Sequence, residues 1–492
     1  MGVNEQTARD RLETGVGHLT DAEPDFLKRE RYYDGDQDLP YAPPGVNAEY
    51  LALREMSIAN WIALASNAPV QRVRPNGFRI TRNAKADQAT WDEVWDANNL
   101  DARWPIVATQ MMNHSRGVMS VWRNPRDARS PIVRPESVRR VWLEPSIEDP
   151  FSHEWAVKAT STIVYDTSSG VPTKRTRDFA WVYDTDGTWV RFERPHVGSW
   201  QPTTAGDSGL GDLPFVAFDN NLDADGKPRP SIIDQLIPAQ DGINTIRFNT
   251  LLAMQFSAYR QRVFTGFDPV MKDDDGNVIW QRDEENNILL DAQGQPMPVV
   301  VNMGRASVDR ALVFPGADTK VFDLPESNLG NYITALSAFL TDFFGRGQIP
   351  PQYLLDKMAN LSGDALTGAE STLSSLIADL KRWSGGSLKQ VMRLSARARG
   401  DDLPEIGGEV NWADDEARSF AQIVDGIQKL ISVGYPREGA FEMLPNMTPH
   451  KLQRIIDMVG AESQDPTLER IARDLIATAP PTAPINADTT GG

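Results

Sequence analysis

The sequence predicts an α+β chain built of several lobes. Three observations lead to that class. Long stretches carry apolar residues at steps of three and four, the middle of the chain is strand-rich with Asp-Gly and Pro punctuation, and a second strand-rich insert separates two long helical stretches. At 492 residues the chain exceeds what one compact core accommodates, so an elongated multidomain subunit is expected.

Residues 1–30 are polar, and the first landmark is Tyr32-Tyr33-Asp34-Gly35-Asp36, followed by Leu39-Pro40. A helix is predicted over residues 47–65, carrying Leu51, Met56, Trp61 and Leu64 and running into Pro69-Val70-Gln71-Arg72-Val73. Trp91, Val94 and Trp95 have the spacing of an amphipathic helix with a buried face, and large aromatics so placed read as core rather than as a ligand box. A helix over residues 103–116 is expected to stop at Gly117, read as its C-cap, with a strand over residues 118–122.

Residues 132–218 are β-rich. Phe179-Ala180-Trp181-Val182-Tyr183 and Thr188-Trp189-Val190-Arg191-Phe192 flank Asp184-Thr185-Asp186-Gly187, a hairpin with Asp-Gly turn chemistry. Strand-rich material ends at Leu213-Pro214-Phe215-Val216-Ala217-Phe218. A polar loop over residues 219–230 precedes a helix over residues 231–259, which spans about 40 Å at 1.5 Å per residue and suits a wall or strut. Pro238 in its second turn marks either a kink or the true start.

Residues 263–323 alternate short β-like pieces with turns, and residues 264–309 hold nine acids against three bases, so an acidic β-lobe is expected between two helices. The second helix, over residues 328–344, places Ile333, Leu336, Phe339, Leu340 and Phe343 at helical spacing. Residues 345–363 combine Gly and Pro breakers with Leu and Met. A helix over residues 364–393 follows, with Leu366, Ala369, Leu373, Leu376, Ile377, Leu380 and Trp383 on one stripe and an interruption at Gly385-Gly386. The segment's distal half is basic, through Lys381, Arg382, Lys389, Arg393, Arg397 and Arg399. An acidic linker over residues 401–409 leads to Val410-Asn411-Trp412 and a helical module over residues 414–476. The low-complexity end APPTAPINADTTGG predicts disorder.

Composition narrows the function. Hydrophobic residues at 40% and charged residues at 24% fit a soluble globular chain rather than a disordered or membrane-spanning one. No apolar run reaches the roughly 18 to 20 residues of a spanning helix, and the first residues lack a secretory apolar core, so neither a membrane nor export is expected. The opening Met-Gly has Gln6 where a myristoylation signal needs Ser or Thr. The absence of cysteine excludes disulfides, thiolate metal sites and cysteine nucleophiles. A net charge of −18 opposes tight nucleic-acid binding, which needs Lys and Arg to neutralise phosphate, while an acidic wall leaves a polyanion few sticking points along its path.

A search for chemistry returns little. His18, His114, His153, His196 and His450 are scattered, with no pair at metal-binding spacing, and read as surface or capping residues. Neither a phosphate-binding glycine loop nor a nucleophile elbow occurs, so no catalytic residue and no cofactor is assigned. Asn221, Asp223 and Asp225 match the first half of a calcium loop, but Ile232 stands where the bidentate Glu belongs, and the plain reading is a polar turn before a helix. Asp273-Asp274-Asp275-Gly276-Asn277 has the wrong ligand spacing and reads as a hairpin turn.

The order of these elements resembles the portal proteins of long-tailed, double-stranded DNA bacteriophages, over nearly the whole chain. The phrases that carry the resemblance are Tyr32-Tyr33-Asp34-Gly35, Pro75-Asn76-Gly77-Phe78, Leu213 through Phe218, and Ser231-Ile232-Ile233 through Gln240-Asp241-Gly242-Ile243-Asn244. Gly347-Gln348-Ile349-Pro350 with Asn360-Leu361-Ser362-Gly363-Asp364-Ala365-Leu366 completes the series. The resemblance implies an elongated multidomain fold of wing, stem, clip and crown, with long stem helices flanking a small β-rich clip. Carried onto this chain, residues 1–230 are the wing, 231–259 and 327–344 the stem helices, and 260–326 the clip. Residues 345–363 are the tunnel loop, 364–412 the long helix returning to the wing, 413–478 the crown and 479–492 a disordered tail.

The resemblance further implies a ring of about twelve subunits at one capsid vertex, serving DNA packaging and ejection. Its implied partners are the major capsid protein, the large terminase motor, head-tail adaptor proteins and double-stranded DNA, bound non-specifically. In that reading Gln352, Lys357 and Asn360 face the bore, and Leu336, Phe339 and Phe343 pack the stem. The virion is the implied location, with the host cytoplasm during assembly. Two Asp/Gly-rich turns in the clip look like additions to a minimal family clip. The competing readings are an enzyme whose site is built from scattered carboxylates and a generic capsid scaffold protein.

Overall fold

The computed structural model describes residues 4–42, 44, 51–79, 88–166, 173–195, 198–258, 262–265, 270–300, 320–323, 329–350, 363–401, 408–413, 420–442, 444, 447 and 449–463. They form an α+β chain of helices and small antiparallel sheets in two compact units. One unit comprises Met1–Gln37, Asn60–Gln240 and Asp342–Gly492, and the other Asp38–Ala59 and Asp241–Thr341.

The first unit opens with helix α1 (Glu5–Asp34), which hydropathy alone does not reveal. The Asn4 side chain accepts the Gln6 N–H at 3.2 Å to start it, and Gly35 in the left-handed region ends it. Its buried face is Ala8, Leu12, Gly15 and Leu19, a stripe at helical spacing in which two members carry almost no apolar signal. Gly15 marks the closest approach, because a Cβ there would stand 2.7 Å from Cγ2 of Val157.

The helix predicted over residues 47–65 is interrupted. Among the described residues there are a short helix, Leu53–Ser57, in the second unit and helix α2 (Trp61–Val70) in the first. In the second unit the Ala59 N–H donates to the buried Asn244 side chain at 3.1 Å. In the first, the Trp61 N–H donates to buried Gln240 at 3.2 Å and Asn60 caps Ala63. Side-chain amides thus take the donors that a continuous helix would bond internally.

After strand β1 (Pro75–Arg79), Trp91, Val94 and Trp95 are buried as their spacing predicts, within a π-helical turn, Trp91–Asp96. Helix α3 (Leu100–His114) buries Trp104, Val107, Met111 and Met112. It ends at Ser115, whose φ is 59°, so Gly117 is not its cap. Gly117 lies inside strand β2 (Arg116–Trp122), where a Cβ would stand 2.7 Å from the Val107 carbonyl oxygen. The glycine is there for strand-on-helix approach rather than for a turn.

Strand β2 is central in a three-stranded antiparallel sheet, between β3 (Ile132–Glu136) and β9 (Phe215–Asp219). Strands β4 (Val141–Pro145), β5 (His153–Asp166), β6 (Thr173–Asp184), β7 (Thr188–Pro195) and β8 (Gln201–Asp207) form a five-stranded meander. The predicted hairpin is its β6–β7 turn, with Tyr183 opposite Trp189 and Gly187 at φ 84°. Helix α4 (Ile232–Ala258) follows β9, and Pro238 lies inside it rather than at its start. Beyond strands β10 (Arg262–Thr265) and β11 (Lys320–Asp323) come helices α5 (Leu329–Arg346) and α6 (Gly363–Arg399).

Among the described residues three cores hold the first unit. Ala8 and Leu12 of α1 pack on Trp155, Val157, Ala180, Val182 and Phe192 of the meander. Val118 and Phe215 of the smaller sheet join Val141, Leu143, Ala156 and Tyr183. The largest core gathers Trp91, Trp95, Trp104, Met111 and Phe218 with Leu373, Ile377, Leu388 and Val391 of α6. Helix α6 runs through Gly385 and Gly386, where an interruption was expected. Two helical glycines cost about 2 kcal/mol, whereas each fully buried Leu or Val beyond them returns about 1.5–3 kcal/mol. Strand β12 (Glu409–Trp412) pairs with β1, and helices α7 (Phe420–Ser432) and α8 (Pro449–Ser463) form most of the described C-terminal module.

In the second unit β10 pairs antiparallel with β11. Residues 270–300 make a triangular prism rather than regular strands. Met271, Val299 and Ile279 donate in a closed cycle, N–H to C=O, at 2.8–2.9 Å, and Gln281, Met297 and Leu289 form a second such cycle. Three turns join the edges and share one hydrogen-bond pattern. Asp273, Asp283 and Asp291 each accept the N–H groups two and four residues on, with Gly276, Asn286 and Gly294 at positive φ.

Candidate assembly and conduit surfaces

Helices α4 and α5 carry large exposed apolar side chains in the second unit. In the second unit Phe339 of α5 lies on Gly242 of α4 so closely that a Cβ at Gly242 would stand 2.3 Å from the ring. Around that contact the apolar stripe is largely uncovered. Ile333 is 62% exposed, Phe339 40% and Met254 of α4 49%, while Leu336 is half-buried. Phe343, by contrast, is fully buried in the first unit, where its neighbour Phe344 meets Trp61 edge-on at 5.6 Å. The three residues assigned to stem packing therefore occupy three environments. Gln352, Lys357 and Asn360 lie outside the described residues.

The start of α4 is held by a network that sequence reasoning does not find. Ser231 and Asp234 cap the helix reciprocally, each side chain accepting the other's N–H at 3.1–3.2 Å. Arg29 of α1 grips both Asp234 oxygens at 2.9 and 3.0 Å. Beside it Arg139 bridges Glu23 and Glu30, which ties α1 to the residues leading into β4. His114, at the end of α3, is buried against this cluster and edge-on to Phe26. Burial first, and then the Arg29 guanidinium, push its pKa down to about 4. His153 is likewise held at about 4 by burial and then by Arg116. His114 is thus a core residue rather than the surface or capping residue expected of it, and His18 stacks on Trp142.

The loop weighed as a calcium site is occupied by its own backbone. Asp223 accepts the N–H groups of Asp225 and Lys227, Asn221 takes a positive φ, and Gly226 sits against the Pro150 carbonyl. This is the same turn found three times between residues 270 and 300. Among the described residues no three His, Asp or Glu side chains converge as a metal ion needs. An open groove of about 870 Å³ lies between α1 and the meander, where Arg139 and Arg194 are countered by Glu23 and Asp178.

Helices α4 and α5 thus meet at Gly242 and Phe339 with large apolar side chains left exposed, and the chain between them carries an acidic lobe. The family model described as "Phage portal protein, SPP1 Gp6-like" matches residues 17–465, and the chain belongs to that family. It is 26% identical over 392 residues to a portal protein of Mycobacterium phage D29, covering 75% of this chain and 72% of that one. It is 25% identical over 445 residues to a portal protein of Mycobacterium phage L5, covering 86% and 83%. A chain from the virion of a native gene transfer agent particle aligns over 83% of this chain at 11% identity, with a TM-score of 0.42, a likeness too loose to rest on. The chain is a portal subunit, forming the ring that serves DNA packaging and ejection.

Proposed function

We propose that this portal subunit is organised as wing (1–230), stem (231–259 and 327–344), clip (260–326), tunnel loop (345–363), returning helix (364–412) and crown (413–478), in a ring of about twelve copies. The observation that carries this reading is the apolar stripe of α5, with Ile333 and Phe339 exposed in a single chain and Gly242 of α4 in close contact behind it. Exposed side chains of that size, at the two edges of one helical stripe, are covered when neighbouring subunits meet around a closed ring. The acidic prism between the two helices is a docking lobe for head-tail adaptors. The wing meets the major capsid protein, and the large terminase docks on the ring during packaging.

The ring sits at the portal vertex of the virion, with no catalytic centre of its own. Electron micrographs of the purified chain, alone or co-expressed with a scaffold partner, are expected to show rings with a central hole in reducing buffer without nucleotide. The same rings are expected to hydrolyse no ATP. Monomers across salt and divalent-ion conditions, even with the scaffold partner, would remove the assembly reading. Turnover abolished by a substitution in this chain would restore the enzyme reading.

A further inference from the structure

The solvent side of α6 runs against the charge of the whole chain. Arg382, Lys389, Arg393 and Arg397 fall on one face at steps of seven, four and four, over about 22 Å. The opposite face carries Leu380, Leu388, Val391 and Leu394 into the core. Arg382 pairs with Asp379 at 2.8 Å and Arg397 with Asp212 at 3.1 Å. Among the described residues Lys389 and Arg393, one turn apart at the centre, have no acidic partner.

The positive surface continues from the helix onto the loop between β2 and β3. Arg123 donates to the Gly209 carbonyl at 2.7 Å and lies over that glycine, whose added Cβ would stand 2.9 Å from the guanidinium carbon. Asp212, three residues on, is the acid that holds Arg397, so the turn 209–212 joins the two basic elements. Exposed Arg126 and Arg129 extend the loop, and Asp127 between them accepts the Arg129 N–H. Asp207 accepts the Gly209 N–H at 2.7 Å, so the seven cations stand among four acids, Asp127, Asp207, Asp212 and Asp379, in a chain whose net charge is −18.

We propose that this surface, formed by the distal half of α6 and the β2–β3 loop, binds the phosphate backbone of double-stranded DNA without sequence preference, separately from residues 345–363. The inference rests on the conduit reading. A duplex carries one charge per about 1.7 Å of axis counting both strands, so a stripe of this length spans on the order of a dozen phosphates and meets those on the near side. A patch spread along a helix and across to a neighbouring loop suits a stiff, continuous polyanion better than one short acidic loop. Contacts from Lys and Arg to phosphate oxygens grip charge and carry no sequence information. Contacts of this kind are screened by salt and exchange readily, as a polymer that must pass requires.

The test is fluorescence anisotropy of a labelled mixed-sequence duplex, with the full chain in the assembly state in which it purifies and micrographs of the same sample. Absence of rings even with the scaffold partner tells against the conduit reading, whereas binding reports this site whether rings form or not. K389E/R393E is expected to weaken binding about tenfold or more at low salt, and to flatten the dependence on salt by about 0.9 per lost phosphate contact. K389Q/R393Q should give a smaller loss of the same kind, which guards against a charge-reversed chain that fails to fold. K227E/R229E, with the same change of net charge at exposed positions elsewhere, is expected to bind as the parent does. Unchanged binding by K389E/R393E, or equal loss in K227E/R229E, overturns the proposal. So does disassembly of K389E/R393E into folded subunits that bind the duplex as the parent does, because the stripe would then hold an acidic surface of a second copy.

Discussion

Two histidines, His114 buried and His153 half-buried, link this fold to pH. His114 and His153 each sit at about 4 in the folded chain, against an ordinary value of 6.5. Between those values the unfolded chain takes a proton that the folded chain refuses. Their contribution to stability is therefore complete above pH 6.5 and is lost as pH falls toward 4, at up to about 1.4 kcal/mol per pH unit for each histidine. Urea midpoints are expected to drop between pH 6.5 and 4.5, and His114→Gln to reduce that slope; an equal slope in the variant would remove His114 from the effect. A glycine sets the other constraint at this scale. Gly117→Ala places a methyl 2.7 Å from the Val107 carbonyl, which is backbone and cannot swing away. The cost is expected to be about 1–3 kcal/mol in denaturant unfolding, and a neutral result would mean that strand and helix separate more easily than their packing implies.

Element by element, the same kind of close contact has different consequences. At Gly242 the neighbour is the tip of Phe339, which is partly exposed and free to turn, so a methyl there disturbs a surface more than a core. The α5 stripe makes a sharper comparison. Ile333→Asp and Phe339→Asp are expected to leave the circular dichroism of the unassembled chain unchanged and to abolish rings, since both side chains already meet water in one subunit. Phe343→Asp, at a fully buried position, is expected to lower stability by about 3 kcal/mol or more before assembly is reached. Rings that form normally from Ile333→Asp and Phe339→Asp would take the stripe out of the interface. The 270–300 prism shows how a repeated turn builds an element. Among the described residues four Asp-led turns share one hydrogen-bond pattern, and three of them close the prism.

For the whole molecule the governing quantity is charge. A net charge of −18 per subunit opposes tight binding of a polyanion, which gives any cation on the DNA path a large share in holding it. Lys357→Glu is expected to impair genome packaging or retention while rings assemble normally, and particles that hold full genomes across a range of salt would remove Lys357 from the DNA path. Much of the fold was legible beforehand because it is local. The β6–β7 hairpin follows from its Asp-Gly turn, the buried Trp91–Trp95 pair from helical spacing, and α4 and α5 from apolar period and length. The absence of cysteine and the acid balance likewise needed no coordinates, nor did the family's order of elements. Tertiary structure alone decided the burial of α1 through Ala8 and Gly15, the break before Trp61, the service of Gly117 to a helix, and the anchoring of Asp234 by Arg29 from 205 positions away. Periodicity reports only the few residues that share a turn or a pleat. A small residue at a close approach, or a carboxylate awaiting a distant guanidinium, has no local signature until packing brings its partner to it.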